Sequence, residues 1–159
     1  MHRSLPAVAL LFCVAGTAGT VAAQPFDDVA ATVKAAPNVA VGRVTAVHAQ
    51  FATNRFGDQL IVSRLTIATN QVLKGTVPAA FDLIVEGGTV GDLTLTVSDV
   101  PILRAGDQAV FLLSADGKGH FEPFDRARAL LPLDAAERVK GTGVALDQIR
   151  RLCLPKPLR

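Results

Sequence analysis

Between Phe81 and Ser114, apolar and polar residues alternate with a period of two, and each run stops at a cluster of Gly, Pro or Asp. Phe81, Leu83 and Val85 share one phase, and the Gly-rich turn Glu86-Gly87-Gly88-Thr89-Val90-Gly91-Asp92 follows. Leu93, Leu95 and Val97 then alternate with Thr94, Thr96 and Ser98. A second turn, Pro101 to Asp107, leads into the run Ala109-Val110-Phe111-Leu112-Leu113. Successive side chains on a strand point to opposite faces, so this spacing buries one face of a strand and suits no helix. The chain is therefore expected to be mainly β.

The same reading extends along the chain. Asp27 or Asp28 caps a short helix that Ala36-Pro37-Asn38 ends. A strand runs from Val39 to Phe51; Val39 and Val41 share one phase, and Val44 and Ala46 the other. Gly42 sits at the switch, so a β-bulge or sharp bend is expected there. Thr53 to Asp58 reads as a loop, and a long strand follows from Leu60 to Leu73. Asp116-Gly117-Lys118-Gly119 is a tight hairpin signal before a short strand near His120 to Phe124. Ala127 to Leu133 suits one more strand, Asp134 to Val139 a helical turn, and Val144 to Cys153 an amphipathic helix.

Residues 1–23 read as an export signal: Arg3 precedes an apolar stretch, Leu5 to Ala15, too short for a membrane span, and Val21-Ala22-Ala23 suits cleavage after Ala23. Lipidation at Cys13 is disfavoured, because Phe12 precedes it and the apolar run continues past it. The expected organisation is a signal at 1–23, a helical segment at 24–37, a β-barrel at 38–125, a C-terminal extension at 126–153 and a tail at 154–159. The mature chain would work in the periplasm or outside the cell. Cys153 would be its one cysteine, so an apolar core and not a disulfide must hold the fold.

Composition restricts the partners. Lys and Arg total 16 against 14 Asp and Glu, and Arg3 belongs to the signal. This near balance gives no electrostatic drive toward nucleic acid or anionic lipid. The sequence has no Trp and no Tyr, so stacking surfaces for bases or sugars would rest on Phe alone.

Several residue groups carry candidate chemistry. Gly87, Gly88 and Gly91 resemble an anion cradle, but a phosphate loop opens a helix, whereas a strand follows here and Asp92 repels phosphate. That segment instead reads as a candidate partner-contact loop: Gly87, Gly88, Gly91 and Asp92. His48, His120 and Cys153 lack any local metal-ligand spacing. Ser63, Ser98 and Ser114 lie in no Gly-x-Ser-x-Gly elbow. Cys153, beside Arg150 and Arg151, is a candidate for a lowered thiol pKa, but it reads instead as a helix residue packing on the barrel. Asp58, Asp92, Asp99, Asp107 and Asp116 mark turns, where Asp bonds the local backbone. Arg138, Lys140, Arg150, Arg151, Lys156 and Arg159 form a basic C-terminal region that reads as a solvated face. No catalytic residue, metal or cofactor is expected.

The order Val39-Ala40-Val41-Gly42-Arg43-Val44, then Val72-Leu73-Lys74-Gly75, Gly87-Gly88 with Gly91, Pro101, Gly106-Asp107 and Val110-Phe111-Leu112-Leu113 carries a resemblance. It resembles a family of uncharacterised exported bacterial proteins, some associated with secreted metalloprotease domains. More distantly it is similar to the OB barrel of netrin and metalloprotease-inhibitor domains. The resemblance implies a small OB-like or Greek-key barrel of five to six strands with a short N-terminal and a C-terminal helix. The inhibitors use disulfides and an N-terminal cysteine on the target's zinc, and a chain starting near Gln24 has neither. The expected function is an exported, non-catalytic binding module whose partner is another exported protein. Two alternatives are an accessory or inhibitor of a secreted protease, acting by loop insertion, and a small hydrolase or metal enzyme using His48, His120 or Cys153. The expected barrel interior is Val41, Val44, Ile61, Leu65, Ile67, Leu83, Val85, Leu95, Val97, Val110 and Leu112.

Overall fold

The computed structural model describes residues 26–54 and 56–155. The expected signal at 1–23, and Lys156 and Arg159 in the tail, lie outside the described residues.

A helix α1 (Phe26–Ala35) precedes two long strands, β1 (Asn38–Thr53) and β2 (Gln59–Lys74). Then come β3 (Ala80–Glu86), a small hairpin of β4 (Gly88–Val90) and β5 (Leu93–Leu95), and β6 (Gln108–Ala115). The chain ends with β7 (Phe121–Pro123), a 3-10 turn (Arg126–Ala129), β8 (Leu130–Pro132) and α2 (Leu146–Cys153). The main sheet is antiparallel with order β3-β2-β1-β6-β7, and β8 also pairs with β6. Three hairpin-connected strands with a later strand returning beside the first is the Greek-key arrangement. The mainly β class and both flanking helices match the sequence reading.

β6 explains the packing. Its two phases are both buried, as expected of a continuous apolar run. Ala109, Phe111 and Leu113 face Ala40, Val44, Leu65, Ile67, Phe81 and Leu83 on the concave side of the sheet. Val110 and Leu112 face Val39, Val41, Val29, Val33, Leu146 and Ile149 on the other side. The sheet thus carries two apolar layers, one inside its curl and one beneath α1 and α2. Each fully buried Leu, Ile or Phe contributes about 1.5–3 kcal/mol of transfer free energy.

This divides the expected interior. Val44, Leu65, Ile67 and Leu83 belong to the concave layer, and Val85 packs at its margin. Val41, Val110 and Leu112 belong instead to the layer under the helices. Leu95 and Val97 are half-buried, because the expected strand from Leu93 stops at Leu95 and pairs only with β4. The phase change at Gly42 is real: the β1–β2 register shifts between Val41 and Gly42 and again between Val44 and Ala46. A Cβ on Gly42 would meet Ile67 Cγ2 at 2.5 Å, so the bulge seats the backbone directly on the concave layer.

The barrel does not close. No ladder joins β3 to β7, although Phe81 and Phe121 meet with ring centroids 5.5 Å apart and Arg126 pairs with Glu86 at 3.1 Å. Both contacts join residues forty apart, so the two strands run parallel across a seam. Closure fails because β7 is only three residues long and ends at Pro123, which has no N–H to donate.

Two further corrections concern the C-terminal part. The Ala127–Leu133 strand is a 3-10 turn followed by three strand residues. The expected helical turn at Asp134 is an Asx turn, with Asp134 Oδ1 accepting from the N–H groups of Ala136 and Arg138, both at 2.9 Å. α2 forms as its spacing requires, with Leu146 and Ile149 buried, Asp147 in its first turn and Arg150 and Arg151 in its last, where the helix dipole favours them. Gln148 Oε1 accepts from the Ala145 N–H at 3.0 Å and closes its start. Among the described residues, no helix is long and apolar enough to cross a membrane.

Candidate functional site

The Thr53–Asp58 loop and the candidate partner-contact loop of Gly87, Gly88, Gly91 and Asp92 both lie around the far half of the β1–β2 hairpin. At its tip, Asn54 Oδ1 accepts from the N–H groups of Phe56 (2.9 Å) and Asp58 (3.0 Å), and Asn54 Nδ2 donates to Asp58 Oδ2 at 3.1 Å. This pinned turn presents the Phe56 ring to solvent, 74% exposed.

The Gly-rich segment divides in two. Gly87 is buried; its N–H donates to Ile61 O at 2.9 Å, and its carbonyl accepts from Ser63 Oγ at 2.7 Å. Ser63, a candidate nucleophile by residue type, is thus a buried strand hydroxyl fastening this joint. Gly88 has φ +138°, and a Cβ there would stand 2.5 Å from Ser63 Oγ and 3.0 Å from Ala49 Cβ. Gly87 and Gly88 therefore form a joint that seats the β4–β5 hairpin on the sheet. Gly91 and Asp92 form the exposed tip. We expect Gly88→Arg to destabilise the fold by about 1–3 kcal/mol through this overpacking. Denaturant unfolding reads the loss, and an unchanged midpoint would refute the packing account. Loss of partner binding in that variant would not report a contact.

The outer faces of β2 and β3, with β7 across the seam, enclose a cleft of about 890 Å³. Val62, Ile84, Phe121 and Leu130 line it with apolar surface, and Ala52, Thr53 and Asn54 of the hairpin end close one side. Arg64 and Asp82 (3.8 Å), and Arg126 and Glu86 (3.1 Å), flank it. Asp82 Oδ1 also accepts from Thr66 Oγ1 at 2.8 Å. Such exposed ion pairs contribute only about 0–1 kcal/mol each to stability, so they present charge at the cleft more than they hold the fold. Sequence reasoning passed over these residues. Ile84 was an available signal, an apolar side chain in the polar phase between Asp82 and Glu86.

The histidines and the cysteine do not meet. His48 lies on β1 opposite Arg64, and Cys153 packs beneath the helices against the second apolar layer. His120 Nδ1 lies 2.9 Å from Asp116 Oδ2, while Asp116 Oδ1 accepts from the N–H groups of Lys118 (2.7 Å) and His120 (3.0 Å). The His120 side-chain bond, with the Lys118 N–H, holds the Asp116 carboxyl below its ordinary range. Its contribution to the hairpin turn is therefore present above the ordinary carboxylate pKa and lost as pH falls through the lowered one. Among the described residues, no three His, Cys, Asp or Glu side chains are grouped to hold a metal ion.

Cys153 packs on the apolar layer as a helix residue, and its thiol is not activated by the neighbouring arginines. Burial pushes its thiol pKa up, and only Lys74 opposes this. Arg150 is turned elsewhere, onto Asp147 (2.6 Å), Gln71 (3.2 Å) and Glu137 (3.7 Å). Iodoacetamide should therefore alkylate Cys153 of the folded chain several-fold more slowly at pH 8 than after unfolding in urea, since the thiolate is the reacting form. Equal rates would show an open, unperturbed thiol. Of the basic C-terminal residues, Arg138 is also engaged internally, its Nη1 donating to Gly143 O at 3.0 Å.

No protein-family model matches the chain, and no curated protein matches it.

Proposed function

We propose that the chain is an exported binding module, not a catalyst, and that its contact surface is the cleft along the β3–β7 seam. The observation that carries this reading is the pairing of an apolar lining with flanking charges of both signs in one cleft of about 890 Å³. Apolar surface supplies affinity, and the fixed charges select the partner and its register. Arg64 with Asp82 and Arg126 with Glu86 form exposed pairs of opposite charge, an arrangement suited to recognition. Export rests on the pattern of residues 1–23, and the partner is accordingly another exported protein.

The test is affinity capture from cell envelope and culture supernatant with the mature chain and its Ile84→Arg variant. Ile84 is 51% exposed, so the substitution charges the cleft without opening the core. A partner retained by the wild type and lost by the variant, at equal thermal stability, is the expected result. Identical retention by both chains would remove the cleft from the reading. A turnover activity abolished by one point mutation would overturn the non-catalytic part.

A further inference from the structure

β1 is sixteen residues long, but only its first part is paired on both sides. β6 covers Asn38 to Arg43, and the backbone of Val44 is closed by Gly106 and Asp107. From Ala46 to Thr53, β1 pairs with β2 alone, and no described backbone ladder runs along its other edge.

The direction of the free groups follows from the hairpin. Asn54 N–H donates to Asp58 O, so the Asn54–Asp58 pair exchanges bonds across the hairpin. Alternate pairs exchange bonds in an antiparallel ladder. Ala52, Gln50 and His48 therefore bond β2, whereas Thr53, Phe51, Ala49 and Val47 aim their N–H and C=O groups outward. Such an edge is a template for another strand, and proteins commonly blunt it with Lys, Pro or a bulge. Here Ala46 to Thr53 holds no Lys, Arg, Asp, Glu, Pro or Gly. Two apolar side chains on it remain exposed, Val47 at 38% and Phe51 at 47%.

We infer that this edge pairs with the same edge of a second copy of the chain, antiparallel, about a two-fold axis at Ala49. The segment is self-complementary in that register. Ala49 faces Ala49, Val47 faces Phe51, His48 faces Gln50 and Ala46 faces Ala52. The pairs are uncharged, and the exposed β-branched and aromatic residues meet across strands, a favourable combination. The outward-pointing residues are the ones that exchange hydrogen bonds. A two-fold contact is isologous and stops at two, so the free edge is consumed without building a filament. Ala52 and Thr53 at the end of this edge border the seam cleft, but Val47 and Phe51 do not line it, so substitutions at those two residues test the edge separately from the proposed contact surface.

The test uses the mature chain in sedimentation equilibrium, with Val47→Lys, Phe51→Glu and the double variant. Each single substitution should raise the dimer dissociation constant about tenfold. The double variant should restore it, because residue 47 of one copy then meets residue 51 of the other with opposite charge. Within one chain these residues are about 13 Å apart along the strand, too far to pair. Hydrogen exchange of the wild type gives a second reading: amides of Val47, Ala49, Phe51 and Thr53 should gain protection with concentration. A monomer at all concentrations, concentration-independent exchange at those amides, or a double variant no tighter than the singles would overturn the inference.

Discussion

Phe111→Ala lowers the thermal midpoint by about 10–20 °C, the equivalent of about 3–5 kcal/mol. Phe111 is fully buried at the centre of the concave layer. Its ring meets Phe81 edge-on, with centroids 5.9 Å apart and planes at 89°, and Phe81 in turn touches Phe121 of β7. Truncation therefore removes apolar transfer energy, leaves a cavity, and unsupports the ring that bridges the seam. The seam has no backbone ladder to compensate. Hydrogen exchange at β3 and β7 should accelerate before that at the β1–β2 pairing. A midpoint within a few degrees of wild type would mean that the concave layer collapses onto the gap.

The second large effect is expected of Ile149→Asp, which should cost at least about 3–5 kcal/mol by placing an unpaired charge in an apolar layer. Ile149 is fully buried beside Val29, Val33, Val144 and Leu146. Arg150, the neighbouring cation on the helix, is engaged with Asp147, Glu137 and Gln71 and so is not free to pair the new carboxylate. If the C-terminal extension is integral, the variant unfolds in one transition at a lower denaturant midpoint. A separate early transition, with the sheet left at wild-type stability, would make α2 an appendage.

These two residues mark how far the chain can be read unaided. Phe111 lies in an apolar run whose strand character was plain, but a run buried on both faces gives no phase, so its assignment to the concave layer was not legible. Ile149 had the spacing of a helix face, but nothing local says that α1 and α2 share the layer beneath the sheet. The candidate site was less legible still. Val62 and Ile84 broke the alternation, while Arg64, Asp82, Glu86 and Arg126 are brought together from separate strands and a turn. The glycines misled for a related reason: Gly87-Gly88 has the composition of an exposed turn, but Gly88 is glycine because Ser63, Ala49 and Ile61 leave no room for a side chain, and Gly87 lies close against the Leu95 carbonyl.

The amino-acid sequence by itself determined the β class, the long hairpin, the kink at Gly42 and the two helices. Those follow from period, bulge and cap signals carried within a few residues of each other. Tertiary structure decided which face each strand buries, that the sheet stops short of a barrel, and that β1 keeps a free edge. These depend on the reach of β7, the missing donor of Pro123 and contacts between residues far apart in the chain, and no local pattern records them. The stretch from Phe81 to Ser114 shows the division: its alternation predicted strands, but packing cut the middle one to three residues and folded it over the sheet.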